Sequence, residues 1–274
     1  MLKYAAVSFR FRVLGSGSSG NATLVEAGET RILLDAGLGP RELAERLQSV
    51  GVDPASLEAV FISHEHGDHA RGAASFSRKW DVRLSGTRGT YAAAGFGACT
   101  ISGYDVIEGF REVGALRVTA VPVSHDAAEP VAFVVSCGEH SLGHATDLGH
   151  VSRSLVEAFR GCHAVLVESN YDAAMLRDGP YPWSLKERIL SPRGHLSNGD
   201  VARYLAASLP VECDSIVLAH LSQKNNHPEL VRMAAEEALA QAGRGDARLT
   251  ITSAEGTGWI RVGPRGRKAQ LRLF

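Results

Sequence analysis

The hydrophobic positions at the start of the chain occur in short runs that glycine-rich turns separate. The segments FRVLG, NATLVEA and TRILLDAG are each apolar or alternating, and together they predict an antiparallel meander of β-strands. The next segment, PRELAERLQSVG, begins with proline, carries apolar residues at helical spacing and closes with glycine. These features predict a helix directly after the meander.

Strand and helix patterns are mixed through the rest of the chain. Buried strands are predicted in LEAVFIS, LRVTAVPVS, VAFVVSC, AVLVES and SIVLAH, and terminal strands in ARLTITS and GWIRV. Amphipathic helices are predicted in VSRSLVEAFR, NGDVARYLAASL and HPELVRMAAEEALAQAG. No linker, low-complexity tract or repeat divides these elements, so we expect an α/β protein with a single domain over residues 1–274.

The composition narrows the class of protein. Hydrophobic residues make up 45% of the chain, and its 29 basic and 30 acidic residues nearly balance, so the net charge by itself indicates neither a nucleic-acid nor a membrane partner. No run approaches the roughly 20 apolar residues of a membrane span, and no secretory segment is apparent. Cys99, Cys137, Cys162 and Cys213 form no C-x-x-C pair. We therefore expect a cytoplasmic protein with reduced core thiols and no membrane partner.

The strongest chemical signal is the hexapeptide from His64 to His69, HEHGDH. In an extended segment the side chains of His64 and His66 point the same way, because strand residues alternate, so the two imidazoles would bind one ion. A bend at Gly67 would direct Asp68 and His69 toward a second ion. Crowding these side chains together is costly without cations, so the hexapeptide predicts a metal site rather than a solvated loop.

Further candidate ligands lie along the chain, and two of them, His125 and His220, end predicted strands, whose ends converge on one rim of a sheet. His125 follows PVS, Asp147 lies in HATDLG, and His220 ends SIVLAH. Each is weak evidence alone, because a lone histidine is more often structural. Their order along the chain supports a dinuclear site in which the carboxylate of Asp147 bridges two ions. Imidazole and carboxylate ligands suit zinc, manganese or iron, and they leave the choice of metal open.

The motifs, taken in this order, resemble the metallo-β-lactamase superfamily, and within it the nuclease branch and the YycJ (WalJ) family. The pattern of that family is carried by LGSGSSGNATLVE, ISHEHGDH, ATDLG, ESNYD, YPWSLKERILSPRGHLSN and AHLSQKNN. The resemblance implies a single αββα sandwich with two divalent metal ions per chain between its sheets. It also implies a nucleic-acid substrate, with 5′-to-3′ exonuclease activity on DNA. Ribonuclease Z-like RNA processing and hydrolysis of a small cyclic phosphate are the alternatives, and the oligomeric state stays open.

The resemblance also implies a role for each candidate residue. One ion would be held by His64, His66 and His125, the other by Asp68, His69 and His220, with Asp147 and a hydroxide bridging them for attack on phosphorus. Asp68 would also position the hydroxide, as a catalytic residue. Asp35 would hydrogen-bond a histidine ligand, and Glu168 and Asn170 would support the ligands from outside.

The tripeptide His-Leu-Ser occurs twice, at His195 and at His220. We expect different roles, because His220 ends a buried strand whereas His195 precedes a helix that Ser197 or Asn198 would cap. His195 is predicted to be catalytic, stabilising charge on the phosphate or protonating the leaving oxygen. The alternative is a loop residue that packs on the helix cap. Tyr171 stands where the family's E-S-N-H-D motif has histidine, so any contact made by that histidine is absent here.

The glycine-rich segment LGSGSSGN is not a P-loop, because it lacks the lysine and leads into a strand. It would instead cradle a substrate phosphate, with Ser18, Ser19 and Asn21 donating hydrogen bonds, or form a plain tight turn. Two basic stretches would track a phosphate backbone or be solvated faces. They comprise Arg71, Arg78, Lys79, Arg83 and Arg88 in the first and Lys186, Arg188 and Arg193 in the second.

Overall fold

Apolar runs throughout the chain pair into two β-sheets. A computed structural model describes residues 8–98 and 103–263. The strands within these residues are β1 (Phe9–Gly15), β2 (Ala22–Ala27), β3 (Thr30–Leu34), β4 (Ala59–Ile62), β5 (Arg83–Gly86), β6 (Tyr104–Val106), β7 (Phe110–Val113), β8 (Leu116–Pro122), β9 (Val131–Cys137), β10 (His140–Ala145), β11 (Ala164–Glu168), β12 (Ser215–Ala219), β13 (Arg248–Ile251) and β14 (Ile260–Arg261). The helices are α1 (Pro40–Ser49), α2 (Gly67–Ala70), α3 (Ala73–Trp80), α4 (Arg88–Ala93), α5 (Arg153–Phe159), α6 (Ala173–Asp178), α7 (Trp183–Leu190), α8 (Asn198–Ala207) and α9 (Pro228–Gln241).

The strand order explains why several strand ends meet. The first sheet has the order β14-β1-β2-β3-β4-β5-β6, and the second has the order β13-β12-β11-β10-β9-β8-β7. Strands β1 to β3 pair antiparallel, which confirms the predicted meander, and β3 to β6 pair parallel. In the second sheet, β7 to β10 pair antiparallel and β10 to β13 pair parallel. Within each sheet, parallel neighbours therefore bring their carboxyl ends to one edge.

The main core lies between the two sheets. Phe61 of β4 and Phe133 of β9 are fully buried there, with ring centroids 6.0 Å apart in an edge-to-face arrangement. On the outer side of the first sheet, Leu43 of α1 and Phe76 of α3 pack into a second apolar cluster. Residues of α5, α8 and α9 cover the outer side of the second sheet. The layers are helix, sheet, sheet and helix, and the predicted αββα sandwich is confirmed.

Some strands and helices were not predicted by the hydrophobic pattern, or differ in length from the prediction. The strand β10 is central in its sheet, although its sequence HSLGHA contains polar residues and no apolar run. The helices α4 and α6 have six residues each, too few to show a clear helical period. The predicted terminal strand GWIRV contributes only two residues to β14.

The structure also shows where the cysteines lie and whether any described helix could span a membrane. Cys162 and Cys213 are buried free thiols as predicted, Cys137 is a free thiol that is only half-buried, and Cys99 lies outside the described residues. Among the described residues, no helix has the length and apolar character needed to cross a membrane.

Candidate active site

The backbone turns sharply where three strands end at the cleft. Asp35 after β3, Asp147 after β10 and His220 after β12 have positive φ angles of 62°, 59° and 55°. This left-handed conformation is strained for residues other than glycine, at a cost of about 1–3 kcal/mol each, and it persists only where surrounding contacts fix it. Such strained positions concentrate at functional sites, and all three residues are site candidates from the sequence.

One cluster of potential ligands contains His64, His66 and His125, whose ligand atoms lie within 4.8 Å of one another. The Nδ1 atom of His66 lies 3.3 Å from Nε2 of His125. The Nε2 atom of His64 is buried and has no hydrogen-bond partner among the described residues. Burial, with a smaller contribution from nearby His69, holds the pKa of His64 well below its ordinary value. A neutral, buried imidazole without a partner fits a metal ligand.

A second cluster contains Asp68, His69, Asp147 and His220, again within 4.8 Å. Oδ2 of Asp68 lies 3.3 Å from Nε2 of His220, and Oδ2 of Asp147 contacts Nε2 of His69. The same Asp147 oxygen lies 3.8 Å from Nε2 of His64 in the first cluster. Asp147 therefore lies between the two clusters, where the sequence predicts a bridging carboxylate.

The carboxylates in and around the second cluster raise the pKa of its histidines. Burial alone would lower the pKa of His69, but the carboxylates of Asp147 and Asp35 outweigh it and hold this pKa well above its ordinary value. Burial also opposes protonation of His220, but Asp147, Asp68 and Glu168 raise its pKa to about 9. Protons on the two imidazoles thus balance charge that bound cations would otherwise balance.

We expect metal binding to release protons, so that metal affinity increases with pH. His69 and His220 have raised pKa values, hence they are protonated at neutral pH and each must lose a proton before its ring nitrogen binds a cation. The increase should continue as the pH approaches the pKa of His220, about 9. Calorimetric titration with zinc in buffers of different ionisation enthalpy measures the released protons. A binding enthalpy that does not depend on the buffer would contradict this expectation.

Asp35 holds His69 in place. Its Oδ2 accepts a hydrogen bond from Nδ1 of His69 at 2.8 Å, and its Oδ1 accepts one from the backbone N–H of Ser63 at 2.8 Å. The Ser63 hydroxyl also contacts Asp35, at 3.0 Å, and lies 3.0 Å from Nδ1 of His64. Asp35 therefore has the geometry predicted for it. Ser63 was not predicted, because a serine that follows an apolar strand is common at strand ends.

Glu168 is a fully buried carboxylate that contacts both histidines of the repeated tripeptide. Its Oε2 lies 3.0 Å from Nδ1 of His195 and 3.3 Å from Nδ1 of His220. Its Oε1 accepts hydrogen bonds from the backbone N–H groups of Leu148 and Leu196, at 2.6 and 3.0 Å. Burial would raise the pKa of Glu168, but the charge of His195 outweighs it and lowers this pKa. Glu168 is thus a charged group that fixes the orientation of both rings.

Asn170 supports His220 from the backbone side. Its side-chain amide is buried and donates to the backbone carbonyl of His220 at 2.9 Å. This contact holds the strained turn at His220, and it agrees with the supporting role predicted for Asn170.

His195 lies at the side of the second cluster. Its Nδ1 is 3.2 Å from Oδ1 of Asp147, and its side chain, 21% exposed, lines an adjacent cavity. Proximity alone also groups Asp147, Glu168, His195 and His220 as ligand atoms within 4.8 Å. Both histidines direct Nδ1 toward Glu168 and Asp147. They differ on the other side of the ring: Nε2 of His220 lies 3.3 Å from Oδ2 of Asp68, whereas the His195 side chain borders the cavity. Burial would lower the pKa of His195, but Glu168 and Asp147 hold it well above its ordinary value.

The loop before His195 has a tight backbone approach. A Cβ atom on Gly194 would lie 2.1 Å from the carbonyl oxygen of Ile189, so only glycine fits there. After His195, Ser197 caps α8 and forms a capping box with Asp200, as one of the two predicted caps. The position of His195 is therefore fixed from both sides.

The three candidate residues of the glycine-rich turn differ in their exposure to solvent. Ser18 and Ser19 are exposed, and Ser18 lines the same cavity as His195. Asn21 is buried instead: its Oδ1 accepts from the N–H of Gly17 at 2.9 Å, and its Nδ2 contacts the backbone carbonyl of Asp68 at 3.2 Å. In this geometry the amide of Asn21 holds the turn against the metal-ligand loop.

The residues of the two basic stretches lie in different environments. Lys186 is buried, and its Nζ donates to the carbonyls of Arg177 and Gly179 at 2.7 and 2.8 Å, so it is not available for a phosphate. Arg83 forms an ion pair with Asp105. Arg188 does line the cavity beside His195.

The sequence reasoning missed Asp126, which directly follows His125. Its Oδ1 lies 3.2 Å from Nε2 of His125 and 3.9 Å from Nε2 of His66, and its Oδ2 accepts from Nε of Arg188 at 2.5 Å. The available signal was a carboxylate next to a predicted ligand in SHDA. Tyr171, excluded on sequence grounds, is 5% exposed and packs in a small apolar cluster with Leu176 and Ile189.

Comparisons with known proteins agree with this geometry. Residues 30–220 match the beta-lactamase superfamily domain. The chain therefore belongs to the metallo-β-lactamase superfamily, and its fold is that of a metal-dependent hydrolase. The predicted site histidines and aspartates, brought together in two clusters, indicate divalent metal binding.

The family within this superfamily follows from two curated relatives. The chain is 35% identical over 246 residues to the exodeoxyribonuclease YycJ of Bacillus anthracis, covering 87% of this chain and 92% of the relative. It is 34% identical over 245 residues to the exodeoxyribonuclease WalJ of Streptococcus pneumoniae, covering 87% and 91%. The chain thus belongs with the YycJ (WalJ) proteins, as its motifs indicate. The crystal structure of the metallo-β-lactamase fold protein YhfI from Bacillus subtilis shows the same fold, with a TM-score of 0.72, 15% identity and coverage of 93% of this chain and 99% of that chain.

Proposed function

We propose that this protein is a dinuclear metal-dependent phosphodiesterase that degrades DNA from 5′ ends. The observation that carries the proposal is the position of Asp147, which lies between two ligand clusters and also contacts His195. Two adjacent ion sites beside a protonated histidine suit displacement at phosphorus. The names of the two curated relatives support DNA as the substrate. The cytoplasmic location expected from the composition is part of the same proposal.

The residues present fit two divalent ions. The donors are imidazole nitrogens and carboxylate oxygens, which suit zinc, manganese and iron, and the buried Nε2 of His64 has no other partner among the described residues. One ion would be held by His64, His66 and His125, the other by Asp68, His69 and His220, with Asp147 shared. When bound, such ions lower the pKa of water and neutralise charge on the phosphate.

The protein groups then have separate tasks. Asp68, at the edge of the second cluster with its side chain 24% exposed, would orient the attacking water. His195, whose pKa Glu168 raises, would donate a proton to the leaving oxygen. Asp35 and Glu168 keep the rings of His69 and His220 in fixed orientations.

We expect the metal-loaded protein to release nucleotides progressively from 5′ ends of duplex DNA labelled separately at each 5′ and 3′ end. The Asp68→Ala variant serves as the control for contaminating nuclease, and it should be inactive because it lacks both a ligand and the group that orients water. Progressive release from the 3′ ends would contradict the polarity. Cleavage of RNA or of a small cyclic phosphate, with DNA left intact, would replace the substrate and retain the phosphodiesterase.

A further inference from the structure

A cavity of about 210 Å³ opens beside His195. One part of its wall is apolar. It consists of Tyr181, just before α7, and of Leu185 and Ile189 within α7. Another part is polar and includes Ser18, Arg188 and Ser222. The cavity therefore presents an aromatic and aliphatic surface and a hydrogen-bonding surface to the same occupant.

The apolar wall is held firmly enough to receive a planar group. Tyr181 and Leu185 are half-buried and pack against the buried side chains of Tyr171, Leu176 and Ile189. Nucleobases stack on such aromatic and aliphatic side chains with little dependence on base identity. Lys186, on the same helix, is anchored to the carbonyls of Arg177 and Gly179, so the start of α7 is tied to the end of α6.

The polar wall suits a sugar and a phosphate. Arg188 is held at the cavity by the hydrogen bond from its Nε to Asp126, and a guanidinium has five N–H donors, so further donors remain for a ligand oxygen. Ser18 comes from the exposed glycine-rich turn and Ser222 from the loop after β12. At about 210 Å³ the cavity is smaller than the roughly 300–1,000 Å³ of drug-sized sites, which favours one nucleoside over a longer segment.

We propose that this cavity binds the 5′-terminal nucleotide of the strand as the leaving group, with its base against Tyr181. The proposal rests on the proposed phosphodiesterase function and adds the part of the substrate that each wall recognises. The position of His195 decides the assignment, because the group that donates a proton to the leaving oxygen must lie on the leaving-group side of the phosphorus.

The proposed position of the leaving group fixes which bond breaks in each cycle. Water attacks the phosphorus between the first and second nucleotides, and the bond from this phosphorus to the 3′ oxygen of the first nucleotide breaks. The 3′ oxygen takes a proton from His195, and the proton that water loses restores His195. The oxygen of water remains on the shortened strand as part of a new 5′-phosphate. Each cycle therefore releases one mononucleotide with a 3′-hydroxyl group, and the polarity is 5′ to 3′.

The first test measures binding of dAMP and of inorganic phosphate to the metal-loaded protein by calorimetry. We expect Tyr181→Ala to weaken dAMP binding about tenfold, the size of effect typical for loss of a stacked aromatic, and to leave phosphate binding unchanged. Tyr181→Phe should bind both as the wild type does. The matched control is Trp183→Ala, because Trp183, two residues after Tyr181 at the start of α7, is 62% exposed and does not line the cavity. Unchanged dAMP binding in Tyr181→Ala would overturn the proposal.

The second test examines the products of a 5′-phosphorylated strand. Mononucleotides with a 3′-hydroxyl as first products, and a Tyr181→Ala variant with raised KM and nearly unchanged kcat, support the assignment. First products of several nucleotides, or mononucleotides with a 3′-phosphate, would overturn it while the phosphodiesterase function stands. If no strand is cleaved, the proposed function fails, and the dAMP measurement alone decides whether the cavity binds a nucleotide.

Discussion

Replacing Asp147 by asparagine is expected to abolish activity and to remove bound metal together. Asp147 contacts His69, lies 3.8 Å from His64 and 3.2 Å from His220, so it is the one carboxylate among the described residues that approaches both ligand clusters. Burial would raise its pKa, but His220 and His69 hold the pKa well below its ordinary value, so the group is charged and available to cations. Asparagine retains the shape and removes this charge.

The loss of metal affinity expected for Asp147→Asn can be compared with the loss expected for Asp35→Asn. Removing a partner outside the ligand set typically lowers metal affinity by about 10- to 100-fold, which we expect for Asp35→Asn. Asp147→Asn should exceed that loss, because a shared ligand disappears from both ions. Equilibrium dialysis followed by elemental analysis measures affinity and stoichiometry, and circular dichroism checks that each variant is folded.

A matched control uses a carboxylate that is remote from the cleft. Asp105 forms ion pairs with Arg83 and Arg111, each at 2.6 Å, and Asp105→Asn loses a charge without touching either cluster. This variant should bind two ions like the wild type. If Asp147→Asn also binds two ions with wild-type affinity, Asp147 does not bridge the metals.

The fold was largely predictable because its signals are local. The opening meander follows from short apolar runs and glycine-rich turns, and α1 from proline, apolar spacing and glycine. The ligand clusters were predicted from the types of residue and their order along the chain, and only some of the ligands, such as His64 and His220, come directly after apolar strands. The meeting of the ligands also requires the two sheets to pack face to face, because the hexapeptide HEHGDH follows a strand of the first sheet whereas His125, Asp147 and His220 follow strands of the second.

The features that were not predictable depend on packing between distant segments. Whether Asn21 faces a substrate or the backbone of Asp68 depends on how the glycine-rich turn meets the loop from the next strands. Lys186 looks like a surface cation in sequence, but the close approach of α6 buries it. The pairing of Asp126 with Arg188 joins residues 62 positions apart, and no local pattern indicates it.

Replacing His195 by glutamine is expected to lower kcat by about 10²- to 10⁴-fold, the usual contribution of a general acid, and to leave both bound ions in place. The physical reason is its position: Nδ1 contacts Glu168 and Asp147, and the side chain, 21% exposed, lines the cavity beside the second cluster. His163→Gln is the control, because His163 precedes β11 at the end opposite to Glu168 and lies in no ligand cluster. Loss of a metal ion from the His195 variant would make His195 a ligand and remove its proposed role.

The pH profile gives an independent test of the same role. His195 donates a proton only while protonated, and its pKa is held well above the ordinary value because Glu168 and Asp147 outweigh burial. Wild-type kcat should therefore decline as the pH rises through this raised pKa. Glu168→Gln removes the largest favourable charge, so the pKa of His195 falls and the decline should begin at lower pH. If the decline in kcat begins at the same pH in Glu168→Gln as in the wild type, another group supplies the proton. The expected shift to lower pH would mean that the buried carboxylate of Glu168 sets the pKa of the ring that protonates the leaving oxygen.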